Sequence, residues 1–239
     1  MSIITISSDS YDVGREIAEK AAKVLNYKCF GREVLAKIAE KHGVPELKLA
    51  KALDQATSFP GMSTKLRDRY LTYIKAYVST LLLEDNTVCY GLAAHLYLTE
   101  VSHVFKVGIL SNSKKLVNQD SPLVETDASH YDLVINLGRI DKKKAVNIIT
   151  ETVIDRKFKP ITYSLNCIED IEMETRVKAV LLEPFPGIKV CAKRGIVVVE
   201  TKGFKFKKEK KCSLIKKMAG KLPGVINMEV HINSYISRN

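Results

Sequence analysis

The stretch Ile3-Ile4-Thr5-Ile6-Ser7, followed by Ser8-Asp9-Ser10-Tyr11-Asp12-Val13-Gly14 and then Arg15-Glu16-Ile17-Ala18, decides the fold. Its β-branched and small residues at 3–7 read as a buried strand. A polar turn follows. From about Val13 to Leu25 the apolar residues Ile17, Ala21, Val24 and Leu25 recur at helical spacing. A strand, a glycine-bearing turn and a helix make a natural phosphate holder, because the free N–H groups and the dipole of a helix N-terminus both favour an anion.

The same alternation continues downstream. A second helix is expected over Arg32 to His42, with Gly43 where a C-cap glycine belongs. A short helix follows Pro45. The longest helix is expected from Thr64 to about Glu84, with a wide apolar stripe of Leu66, Tyr70, Tyr73, Ile74, Tyr77, Val78, Leu81 and Leu82. Such a stripe reads as core and is also available as a homodimer contact. Strands are expected at Thr87–Tyr90, Val101–Leu110 and Tyr131–Asn136, and Asp141 caps a helix running to about Phe158. Strands alternating with helices imply an α/β fold with a mostly parallel sheet, helices on both faces.

Beyond Pro160 the pattern changes. Helix Ile168–Leu182, strands Ile188–Ala192 and Ile196–Thr201 around the turn Lys193-Arg194-Gly195, a basic helix Lys207–Lys221 and a strand Val225–Ile232 make an αββαβ unit. The expected division is a first domain over 1–158 and a second over 165–239, since 239 residues suffice for two.

Charge is uneven. The formal net charge is +11, and Gly187 to Ile232 holds twelve Lys/Arg against three Glu, which is most of it. That asymmetry points the C-terminal part at an anionic partner, with a merely solvated face as the other reading. The patch Lys205, Lys207, Lys208, Lys210 and Lys211 suits phosphates on a membrane or nucleic acid. Phe204 and Phe206 alternate with it, in the manner of base stacking or of core anchors at a strand end. The five cysteines have no close pairs, so the usual zinc spacings are missing. The N-terminus has no basic start and no long apolar run, and no stretch approaches a membrane span, so a cytoplasmic protein is expected.

Residues Gly14-Arg15-Glu16-Ile17-Ala18, Leu25-Asn26-Tyr27 and Gly31-Arg32-Glu33-Val34-Leu35 together with the first strand resemble the cytidylate-kinase-like family of P-loop proteins, as does Tyr131-Asp132-Leu133-Val134-Ile135-Asn136. That family opens with a strand and a loop of the type S-R-E-Y-G-S-G-G-R-E-I-A, followed by F-Y-D-R-E-L-I. The resemblance covers about residues 1 to 155, in patches. It implies a P-loop kinase fold, a nucleotide cradle at Ser10, Asp12, Val13, Gly14, Arg15 and Glu16, a substrate contact at Arg32, and ATP with magnesium as cofactors.

The departures from the family matter more than the matches. Tyr11 and Val13 replace glycines and crowd a phosphate held against the backbone. Asp12 puts a carboxylate in the cradle, and Asp9 is close by. The family's arginine-rich lid falls at Ser111 to His130, which holds Lys114 and Lys115 and no arginine. Its Gly-Arg after the third strand reads Gly91-Leu92, and its Asp before Arg-Glu-Leu is Gly31. Phosphoryl transfer rests on positioning and charge neutralisation. Losing several such elements together favours a non-catalytic or regulatory ligand-binding protein, a pseudokinase, over a divergent nucleoside monophosphate kinase using Arg15, Arg32 and Arg67 or Arg69. The helix N-terminus at Val13 to Arg15 could still hold a nucleotide or smaller anion, or the turn could simply close the fold.

The order Gly187-Ile188-Lys189-Val190, Ile196 to Gly203, a helix to Leu222 and Pro223-Gly224-Val225 through Val230 resembles a BON domain, a small module of bacterial osmotic-stress and secretin-associated proteins. The resemblance implies a binding unit for phospholipid or ligand, without catalysis.

Overall fold

A computed structural model describes residues 2–54, 62–111, 128–203 and 208–234. Its centre is a parallel sheet in the order β2-β3-β1-β4-β5, formed by β1 (Ile3–Ser8), β2 (Lys28–Phe30), β3 (Thr87–Tyr90), β4 (Val104–Leu110) and β5 (Leu133–Asn136). β1 lies in the middle because both of its faces are apolar. Ile3 packs into one core, and Ile4 and Ile6 into the other. The three-residue β2 was not expected, since a run that short carries no readable period.

One face of the sheet is covered by α1 (Tyr11–Leu25) and α5 (Lys142–Val153). Asp141 caps α5, accepting from the Lys144 N–H at 2.8 Å. On the other face lie α2 (Val34–His42), α3 (Glu46–Asp54) and α4 (Thr64–Leu82). Ser63 caps α4 by accepting from the Leu66 N–H. Ile74, Val78 and Leu82 of α4 are fully buried, each worth about 1.5–3 kcal/mol. The stripe that invites a dimer contact is covered inside the chain, by α3 and by α6 (Thr162–Leu181).

That sixth helix begins six residues before the expected start at Ile168. Its beginning is set by Ser164, which is completely buried. The Ser164 hydroxyl accepts from the Ile161 N–H at 3.1 Å and lies 2.8 Å from His103 Nδ1, just before β4. Further along, Lys178 meets Asp68 at 3.2 Å, and Thr80 donates to Glu172 at 3.3 Å. Ile168 belongs to the α4 core, whereas Val177 and Leu181 belong to the core beneath the small sheet. One helix is therefore shared by both cores.

The small sheet has the order β6-β7-β8, with β6 (Lys189–Lys193) antiparallel to β7 (Ile196–Gly203) and β8 (Asn227–Ser234) parallel to β7. Arg194 and Gly195 turn the hairpin with φ of 49° and 80°, as a two-residue turn matched to strand twist requires. α7 (Lys208–Ala219) is the crossover to β8, burying Ile215 and Ala219 on the sheet. Among the described residues no helix is long and apolar enough to cross a membrane.

Candidate functional site

Ligands of open parallel sheets bind beyond the carboxyl ends of the strands. Here that edge carries the β1–α1 turn, the start of α2, the segment after β3 and the end of β4. The turn is short. Ser10 is the N-cap of α1, with no side-chain cap bond, and its N–H donates to Ser8 Oγ at 3.2 Å. Asp9 is fixed from two sides: its N–H donates to the Ile109 carbonyl, and its carboxylate accepts from the Ser111 N–H at 2.8 Å.

α1 begins two residues earlier than expected, so Gly14 sits inside the helix, its N–H bonded to the Ser10 carbonyl at 3.0 Å. A Cβ at Gly14 would lie 2.9 Å from Ser8 Cβ. The glycine thus admits the close approach of helix to strand. Asp12 stands exposed in the first turn, where the helix dipole favours a carboxylate. Val13 packs into the α1–α5 core. Arg15 is exposed and pairs with Glu19 one turn on, at 2.7 Å. Glu16 accepts from Lys142 and from Lys20, contacts that hold its carboxyl down at about 2. Both side chains of the Arg-Glu pair are engaged in ion pairs, Arg15 with Glu19 and Glu16 with Lys20 and Lys142.

Tyr11 occupies the space over the strand ends. Its ring lies against Gly91, where a Cβ would fall 2.7 Å from Cε2. Its hydroxyl accepts from the Arg32 N–H at 3.2 Å, and its ring is 5.6 Å from that of Tyr90. The Arg32 guanidinium stacks over Tyr11 at 4.9 Å and donates from Nε to the Gly91 carbonyl at 3.3 Å and from both terminal nitrogens to Asp54. The residue expected to contact a substrate is thus held by an internal carboxylate and an aromatic face. Gly31 allows the Tyr90 ring to pass within 2.3 Å of where its Cβ would be. The Tyr90 hydroxyl donates to Glu33, which also accepts from the Gly31 N–H.

A second cluster adjoins the turn. His95 is buried, with Nδ1 2.8 Å from Ser7 Oγ at the end of β1 and Nε2 3.3 Å from the Tyr131 hydroxyl. Burial, with His130 and Lys106 adding, pushes the imidazole down to about 4, so it is neutral at pH 7. His95 was not singled out from sequence. The available signal was its place, four residues past Gly91 at a parallel-strand terminus.

Residues 3–121 match the cytidylate kinase-like family. The parallel sheet flanked by helices is the kinase-like fold that this match implies. A solved structure, that of an uncharacterized protein from Eubacterium ventriosum, is similar at 16% identity over 65% of this chain and 100% of its own, with a TM-score of 0.43. No curated protein matches the sequence.

ATP and magnesium, which the family implies, do not fit the described residues of the β1–α1 turn. Tyr11 lies across the strand ends, Gly14 is bonded within the helix, Asp12 sits at the helix start and Glu16 is held by two lysines. The lid interval with Lys114 and Lys115 lies outside the described residues, apart from Ser111 and 128–130.

Of the basic patch, Lys205 and Lys207 lie outside the described residues, as do Phe204 and Phe206. Lys208 is half-buried and Lys210 is exposed. Lys211 turns inward, donating to Thr201 Oγ1 at 3.0 Å and to the Lys202 carbonyl at 2.7 Å, with its ammonium over the Phe185 ring. Burial lowers its pKa.

Proposed function

We propose that this protein is a non-catalytic, regulatory ligand-binding protein, in which a kinase-like unit that no longer transfers phosphate is joined to a basic, BON-like binding module. The observation that carries this reading is the Tyr11–Arg32–Asp54 assembly. It fills the end of the sheet with an aromatic ring and pairs Arg32, at the start of α2, with an internal carboxylate. Kinase catalysis depends on cationic groups free to meet the transferring phosphoryl group. Here Arg15 and Arg32 are matched by Glu19 and Asp54. The αββαβ order and the exposed Lys210 support an anionic surface, such as phospholipid, as partner of the C-terminal module.

The test is calorimetric titration with CMP and with ATP plus magnesium, followed by a turnover assay of the two together. No heat of binding and no ADP formation are expected. Turnover above the no-enzyme rate, lost on Arg32→Ala, would instead establish a divergent nucleoside monophosphate kinase. For the module, binding to anionic vesicles is expected to weaken with added salt and on Lys210→Glu.

A further inference from the structure

A cavity of about 180 Å³ lies between α4 and the segment after β3. Much of its wall is apolar, from Leu53, Leu71, Ile74 and Leu92. Two cations join that wall, Arg67 and Lys75, two turns apart on one face of α4. Both are half-buried. Among the described residues neither has a carboxylate within ion-pair distance. The Arg67 Nε donates to the Ala52 carbonyl at 3.1 Å, which orients the guanidinium, and the Lys75 ammonium lies over the Tyr97 ring at 5.1 Å. Burial, with Lys178 adding, lowers the Lys75 pKa, and Asp68 and Glu174 oppose this from beyond pairing distance. Partly desolvated cations without a counter-ion are costly to keep. An anion seated in the cavity would relieve that cost.

We infer that this cavity binds a small organic monoanion, a carboxylate on an apolar body, with the carboxylate between Arg67 and Lys75 and the body against Leu53, Leu71, Ile74 and Leu92. The size follows from the volume: an apolar cavity of about 150 Å³ takes up benzene. Pockets for larger, drug-sized ligands start near 300 Å³, so the enclosed space suits a small ligand better than a whole nucleoside monophosphate. The apolar wall favours an organic anion over inorganic phosphate. This inference rests on the ligand-binding reading above and names its ligand class. It also gives the ligand a route to the rest of the fold. His95 lines the same cavity and is bonded to Ser7, two residues before the β1–α1 turn begins.

The experiment is isothermal titration of the full chain with benzoate, isobutyrate, benzamide, inorganic phosphate and CMP. Benzoate is expected to bind at least tenfold more tightly than its neutral isostere benzamide, with phosphate and CMP failing to compete. Lys75→Met keeps the aliphatic stem and removes the charge. Leu71→Phe fills the space and keeps both cations. Each is expected to weaken benzoate at least tenfold while leaving the circular dichroism spectrum unchanged. No binding of benzoate or isobutyrate, equal binding of benzoate and benzamide, or benzoate affinity unchanged in both variants would overturn the inference. CMP-dependent ADP formation, by contrast, would overturn the non-catalytic reading and leave the benzoate result standing.

Discussion

Tyr11 and Gly91 share a single surface: a Cβ on Gly91 would stand 2.7 Å from Cε2 of the Tyr11 ring, and the Gly91 backbone has φ of +66°. Two penalties therefore meet in Gly91→Ala, the left-handed backbone and the collision. Together they are expected to cost about 2–3 kcal/mol. In a Tyr11→Ala background only the backbone penalty remains, so the same substitution should cost about 1 kcal/mol less. Urea unfolding of the four proteins measures this. An equal cost in both backgrounds would show that the ring does not rest on Gly91.

Gly14→Ala separates two roles for one glycine. In a helix interior the change should stabilise by about 1 kcal/mol. Here the added Cβ would lie 2.9 Å from Ser8 Cβ, close to the main chain, where nothing yields easily. A net loss of about 1–2 kcal/mol is expected. An increase in the midpoint of denaturation would mean that α1 does not press on β1 this closely.

His95 makes stability depend on pH. Its folded pKa of about 4 lies below the ordinary value of 6.5, so between these limits the unfolded chain binds the proton and the native one does not. Stability should be complete above pH 6.5, fall as pH drops toward 4 and level off below it, losing up to about 3 kcal/mol. His103, also lowered by burial, acts in the same direction. His95→Gln should flatten that part of the profile. A profile unchanged by the substitution would assign the pH dependence to other groups.

Ser164→Ala should cost about 2 kcal/mol, because the Ile161 N–H and His103 Nδ1 each lose a buried partner. Since α6 contributes Ile168 to one core and Val177 and Leu181 to the other, unfolding should remain a single transition, shifted to lower temperature. Calorimetry decides this. Two resolved transitions, only one of them moved, would show that the halves unfold independently.

Local features were legible because they depend on neighbours along the chain. Strand–helix alternation, the Asp141 cap, the Lys193-Arg194-Gly195 turn and the αββαβ order were all readable in this way. So was the loss of glycines around Tyr11, since bulk beside a phosphate cradle is a property of the residue itself. Only the tertiary structure decided where the charged side chains go. Arg32 is drawn to Asp54, twenty-two positions away, and Glu16 to Lys142, 126 away. Lys211, one of a run of lysines, turns inward to the Lys202 carbonyl. α6 belongs to two cores because apolar residues on separate faces meet surfaces that exist only once the sheets have formed. Period and composition say which residues leave water. A long flexible cation can reach several partners, and which one it takes depends on contacts that folding alone brings together.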